Sequence, residues 1–213
     1  MTLSKRYPLR ISRGESAGSV NLFCTVTEDG VTGLGEAAPG RLTGAESAED
    51  CENQIKDFLG ENTQALDNPF DGWQMARDAG VAPCAWAAVD TALWDLLARS
   101  QSKPLYRLLG LPRRAVPTSV TIGILPPDVV RERVPEVIQR TGARYLKVKL
   151  GSPEGLDADC EMFSAVQEAA SSFDVKVRVD ANGGWNLKDA QKMMTWLKEH
   201  DCDYVEQPLH HNN

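Results

Sequence analysis

The 213-residue chain is short of everything that would take it to a membrane, a nucleic acid or an oxidising compartment. No apolar run is much longer than Ala85–Val89, far below the roughly 20 residues needed to cross a bilayer. Residues 1–9 contain no apolar stretch of signal-peptide length. Basic residues are outnumbered: 23 Lys and Arg face 30 Asp and Glu, a net charge of −7. A nucleic acid calls for a basic face and an anionic lipid surface for a basic patch, so neither is an expected partner. The five cysteines are an odd number with no C-x-x-C pair, which excludes a regular disulfide framework and a thiolate zinc site. The expectation is a cytoplasmic protein with reduced thiols, Cys24, Cys84, Cys160 and Cys202 serving as small core residues. Aromatic residues make up only 7%, but the five tryptophans can still anchor a core.

What is present falls into two grammars. In the first, Val20–Glu28 alternates as a strand, Asp29-Gly30 signals a hairpin turn, and Val31–Ala37 returns. Ser12–Ser19 reads as a loop between the first two strands, and Gly44–Leu59 as a helix. Pro83–Ser100 is the clearest helix: Pro83 suits the first turn, and Ala85, Val89, Ala92, Leu93, Leu96 and Leu97 recur at helical spacing. Pro104 opens a shorter helix that Gly110 stops. Gly33-x-Gly35 follows no βαβ entry and lacks a third glycine, so it is no dinucleotide site.

From about residue 116 strands and helices alternate: Thr118–Ile122, Pro127–Thr141, Tyr145–Leu150, Gly155–Ser171, Lys176–Asp180, Leu187–His200, Tyr204–Glu206. Such alternation predicts βαβ units on a parallel sheet. The fold class expected is therefore an α+β N-terminal capping domain over residues 1–115, then the first part of a (β/α) barrel over residues 116–213. The boundary falls near Arg113–Pro117. The 98 residues from 116 to 213 are well under the roughly 250 of a complete barrel, so the chain is expected to stop inside it.

Three polar groups close consecutive predicted strands. In Tyr145-Leu-Lys-Val-Lys-Leu150, Leu146, Val148 and Leu150 share one face and Lys147 and Lys149 the other. Two ammonium groups on an enclosed face are unfavourable unless paired or useful. Burial and a second cation would depress a lysine pKa and make it a base near neutral pH; the alternative is an edge strand with lysines in water. In Val175–Asn182 the valines alternate, leaving Arg178 and Asp180 on the opposite face, and Glu206 ends the last strand. Lys149, Asp180 and Glu206 are 31 and 26 residues apart, about one βα unit each, which delivers one side chain per strand to a common C-terminal rim. Two carboxylates with open positions suit Mg2+, a hard ion that prefers oxygen.

These motifs resemble the enolase superfamily in its muconate-lactonizing branch, most of all the dipeptide epimerases acting on L-Ala-D/L-Glu. The resemblance runs through Gly33-Leu-Gly-Glu-Ala-Ala-Pro39, Lys103–Gly110, Thr121-Ile-Gly-Ile124, Lys147-Val-Lys149, Val179-Asp-Ala-Asn-Gly-Gly-Trp185 and Val205-Glu-Gln-Pro-Leu209. It implies Asp180 and Glu206 as Mg2+ ligands, with Asn182 beside them. It implies Lys149 as the acid/base that takes the α-proton, through a metal-stabilised enediolate. It implies Lys147 as the supporting lysine, expected to contact the substrate carboxylate and hold the pKa of Lys149 down. Thr121 is a substrate contact, and Arg13 is the candidate partner for a substrate side-chain carboxylate, the alternative being a solvated surface arginine. A small dipeptide is the expected partner, and a homo-oligomer is compatible. A third carboxylate and a second catalytic lysine are implied beyond Asn213; His210, His211, Asn212 and Asn213 read as the start of a βα loop. N-acylamino-acid racemase, o-succinylbenzoate synthase and muconate cycloisomerase share the first chemical step. A non-catalytic fragment, open at its strand edges, is the reading of a different class.

Overall fold

The computed structural model describes residues 1–40, 43–113 and 116–212. The chain forms two compact units, one of residues 1–4 and 18–114, the other of residues 5–17 and 115–213. The expected boundary near Arg113–Pro117 lies partly outside the described residues.

The first two strands, β1 (Thr2–Ile11) and β2 (Gly14–Val20), pair as a two-stranded sheet. The loop expected over Ser12–Ser19 is therefore only a turn at Ser12 and Arg13. The small residue at Gly18 permits close pairing in the sheet, since a Cβ there would lie 2.5 Å from the Leu3 carbonyl oxygen.

In the first unit β3 (Leu22–Glu28) and β4 (Val31–Ala37) form an antiparallel hairpin. Asp29 and Gly30 both take positive φ, 48° and 78°, as a tight two-residue turn demands. Ser47 caps α1 (Ala48–Glu61) by accepting from the Asp50 N–H, and Asn68 caps α2 (Pro69–Asp78) by accepting from the Phe70 N–H. The long helix α3 (Pro83–Ser100) begins at Pro83 as expected. Its Ala85, Ala88 and Ala92 are completely buried. They lie against β4 because Gly33 and Gly35 have no side chains: a Cβ there would sit 2.0 Å from the Ala92 carbonyl oxygen and 1.9 Å from that of Ala88. The Gly-x-Gly pair thus lets a helix backbone approach a strand backbone. Phe58 meets Trp86 edge-on, ring centroids 5.3 Å apart. A short helix, α4 (Leu105–Leu108), ends near Gly110, which has φ 68°.

The second unit carries four parallel strands in sequence order: β5 (Ser119–Ile122), β6 (Tyr145–Lys149), β7 (Lys176–Asp180) and β8 (Val205–Glu206). Helices α5 (Pro127–Thr141), α6 (Leu156–Ala170) and α7 (Leu187–Glu199) connect them. This is the partial β/α arrangement expected. Leu146, Val148, Leu150, Val177 and Val179 form one core with Val130, Val134, Phe163, Val166, Met193 and Leu197. The strand face opposite the lysines is thus the one the helices cover. Residues of β1 join this unit: the Ile124 N–H donates to the Arg10 carbonyl at 2.8 Å, and Arg10 pairs with Glu154. Among the described residues, no helix is long and apolar enough to cross a membrane. All five cysteines are free thiols, Cys51 and Cys84 buried and the other three half-buried against the two cores.

Candidate active site

Register alone assembles the site. Across the parallel ladder Lys149 is the partner of Asp180, and Asp180 the partner of Glu206. One residue pair earlier, Thr121, Lys147 and Arg178 form a second row. Side chains two apart on a strand share a face, so Lys147, Lys149, Asp180 and Glu206 meet on the side away from the helices. The three strand-end groups expected from spacing are brought together.

Lys149 is buried, with 9% of its surface exposed, and Asp180 has 1% exposed. The Lys149 Nζ donates to Asp180 Oδ2 at 2.6 Å and to Asn182 Oδ1 at 2.9 Å. Asn182 in turn donates its backbone N–H to Asp180 Oδ1 at 2.9 Å. Asn182 holds φ 47° and Gln207 φ 42°. Left-handed backbone costs about 1–2 kcal/mol outside glycine, though asparagine tolerates it better than most residues. Two such residues directly after two neighbouring strand ends mark chain held by its surroundings.

Lys147 Nζ lies 3.1 Å from Glu206 Oε2 and 3.7 Å from Asp180 Oδ2. The hydrogen bond to Glu206 holds its ammonium above the ordinary lysine range, against the opposing pull of burial. Its two carboxylate neighbours, Glu206 and Asp180, favour the charged form of Lys147. The same geometry tests the expected ion. Two carboxylates converge on one cationic point at the strand ends, which is the oxygen donor set a Mg2+ ion uses when waters and substrate complete its shell. Among the described residues no three His, Cys, Asp or Glu side chains form a metal-binding group. His210 and His211 lie against each other on the surface.

Thr121 is exposed beside Lys147 in the register. Arg178 shares the face of Asp180 but takes no part in the site: it donates to Asp203 Oδ2 at 2.9 Å and lies 3.8 Å from the centre of the Tyr145 ring. Arg13 is exposed and makes no ion pair among the described residues. Its neighbour Ser12 donates to the Asn182 carbonyl at 3.3 Å. Ser12 fits there because both flanking positions are glycine; a Cβ at Gly184 or Gly151 would lie 2.8 or 3.3 Å from the Ser12 Cβ. The hairpin tip is therefore seated on the loop that carries Asn182.

Sequence reasoning missed Asp159, which is 1% exposed. Its carboxylate accepts from the N–H groups of Gly151 and Ser152, both at 3.0 Å, and from Trp185 Nε1 at 2.8 Å. Burial pushes its carboxyl pKa upward although these three donors pull it down. Asp159 stands in the first turn of α6, where acidic residues are common for helix-dipole reasons alone. An acidic residue eight positions after the glycine that follows the Lys-x-Lys strand is the available signal, and it is a weak one.

The chain is similar to known proteins in sequence and fold. The family model for the mandelate racemase / muconate lactonizing enzyme N-terminal domain matches residues 2–110, and the enolase C-terminal domain-like model matches residues 129–213. A hydrophobic dipeptide epimerase of Roseobacter litoralis is 59% identical over 97% of this chain and 59% of its own length. An L-Ala-D/L-Glu epimerase of Bacteroides thetaiotaomicron is 36% identical over 85% of this chain and 45% of its own. The crystal structure of a dipeptide epimerase from Enterococcus faecalis V583, complexed with Mg and L-Leu-L-Tyr, superposes with a TM-score of 0.86 at 30% identity. It covers 100% of this chain and 60% of that one. The chain thus spans 45–60% of the length of these relatives.

Proposed function

The chain belongs to the mandelate racemase / muconate lactonizing enzyme family, and from that premise we propose that it carries the proton-abstracting half of a dipeptide epimerase site whose preferred substrates are hydrophobic dipeptides. The observation that carries the reading is the single cross-strand row Lys149, Asp180 and Glu206. Lys149 takes the α-proton of the residue bearing the free carboxylate. Asp180 and Asn182 hold its Nζ in place through bonds of 2.6 and 2.9 Å. Lys147 faces the same rim and binds the substrate carboxylate, with Thr121 beside it. Asp180 and Glu206 would hold Mg2+, which when bound would supply the positive charge that makes a carboxylate α-proton acidic enough to remove.

The preference for apolar substrates follows the 59% identity to a hydrophobic dipeptide epimerase, against 36% to an L-Ala-D/L-Glu epimerase. It departs from the sequence expectation of an L-Ala-D/L-Glu type of dipeptide. Arg13 supports the acidic alternative, since an unpaired guanidinium at the hairpin tip would favour a substrate carboxylate.

The test uses the full-length product of the gene encoding this chain, with Mg2+, and follows epimer formation by NMR. The panel holds L-Leu-L-Tyr, several L-Ala-L-Xaa dipeptides including L-Ala-L-Glu, and an N-acylamino acid. We expect kcat/KM for the apolar dipeptides to exceed that for L-Ala-L-Glu at least tenfold. Turnover of L-Ala-L-Glu that is equal and lost in Arg13→Ala would restore the acidic preference. Turnover of none of the dipeptides would overturn the reading.

A further inference from the structure

The loops that follow β6 and β7 carry the groups around Lys149, and a single buried side chain joins them. Asp159 Oδ1 takes the Ser152 N–H, and Oδ2 takes both the Gly151 N–H and the indole N–H of Trp185. Gly151 stands two residues after Lys149, and Trp185 three residues after Asn182. Between those anchor points the two loops touch backbone to backbone: a Cβ at Gly184 would lie 2.7 Å from the Gly151 carbonyl oxygen. Lys149 reaches across the same gap to Asn182.

We propose that Asp159 is a positioning residue that fixes the spacing between the Lys149 strand end and the Asn182 loop, and so the direction in which Lys149 meets the α-proton. The functional part of this proposal rests on the epimerase reading above; its structural part does not. Asp159 is suited to the role because a carboxylate is acceptor-only and can take donors from both loops without a competing donor of its own. It is almost completely buried, so water does not replace a bond that is lost. Its partners are also of two kinds. The two backbone N–H groups fix the β6 loop, and the indole fixes the β7 loop through a rigid ring whose residue bridges to Leu209 after β8.

Two variants test it in this chain. In Asp159→Asn one oxygen becomes an NH2 group that faces donors. In Trp185→Phe only the arm to the β7 loop is removed. The readout is amide hydrogen exchange by NMR at Asn182, whose N–H is bonded to Asp180 Oδ1 and not to Asp159. We expect Asn182 exchange to accelerate about tenfold in Asp159→Asn and about threefold in Trp185→Phe, while amides of β3 and β4 keep their protection. If only Gly151 and Ser152 lose protection and Asn182 does not, the clamp is local and the proposal is wrong. Should Asp159→Asn lose protection throughout the second unit, Trp185→Phe decides alone, on the same criterion. In the full-length enzyme, Asp159→Asn should lower kcat about tenfold or more with KM changed less than twofold, since displacement near 1 Å can cost 10²-fold. An unchanged kcat would also overturn it. A wild type that exchanges no α-proton would fail the epimerase reading, and Asn182 exchange would still decide the clamp.

Discussion

Gly33 and Gly35 in the first unit, and Lys149 and Asp180 in the second, are both exceptions on a buried strand face, with opposite causes. The glycines remove side chains so that α3 can lie on β4, with alanines at Ala88 and Ala92 completing the fit. The carboxylate near them, Asp95 of α3, accepts from the Leu34 N–H at 3.0 Å and pairs with Arg99 at the exposed edge. On β6 and β7 the exception is added chemistry: an ammonium and a carboxylate with 9% and 1% exposure, tied to each other and to Asn182. An apolar pair of similar volume would serve stability as well or better. The difference teaches where to look for function in this molecule. Packing explains the glycine pair of the first unit, whereas the ion pair in the second is not needed for packing.

The comparison breaks if the two exceptions respond alike to substitution. Gly35→Ala should have the largest effect, destabilising the first unit by about 3 kcal/mol or more, because the clash is with helix backbone that cannot swing away. Thermal unfolding measures it; a neutral Gly35→Ala would mean the helix and strand are not in the close contact described. Asp180→Ala should cost a similar amount, about 3 kcal/mol, by leaving the Lys149 ammonium buried and unpaired. Here the sharpening variant is the double replacement Lys149→Met with Asp180→Leu, which should recover most of that loss while removing all proton exchange. No such pairwise rescue exists for Gly35.

Glu206→Gln should change stability by less than about 1 kcal/mol, since the Glu206 side chain is 47% exposed and solvent screens its bond to Lys147. The same variant should weaken Mg2+ binding at least tenfold in the full-length enzyme, measured by calorimetry. The smallest effect concerns Glu154. Its carboxyl is held down to about 2, first by the Ser152 hydroxyl and then by Arg10. A folded pKa below the unfolded one contributes stability above the usual carboxylate range, and that contribution is lost as pH falls toward 2. An NMR titration of the Glu154 carboxyl should show this midpoint, and Glu154→Gln should remove the corresponding slope from the acid side of the stability curve.

Much of the fold was legible because periodicity and termination signals coincided. Lys176–Asp180, Val31–Ala37 and Pro127–Thr141 were read with the bounds the structure has. The site was legible for a related reason: a spacing of about one βα unit put Lys149, Asp180 and Glu206 in neighbouring positions of the register. Three things were not. Ser12–Ser19 is composed like a loop, and only its pairing with β1 makes it a strand. Arg178 alternates in step with Asp180, but its length carries the guanidinium to Tyr145 and Asp203 instead. Asp159 depends on three donors from two other segments, a relation that no local pattern contains.

The most direct measurement is solvent deuterium entering the α-carbon of a hydrophobic dipeptide in D2O with Mg2+, comparing the full-length wild type with Lys149→Ala. The account predicts exchange in the wild type and a loss of at least 10³-fold in Lys149→Ala, more than general acid–base catalysis alone supplies at the low end of its range. Equal exchange in both proteins, or none in the wild type, would contradict it and leave the fold without this chemistry.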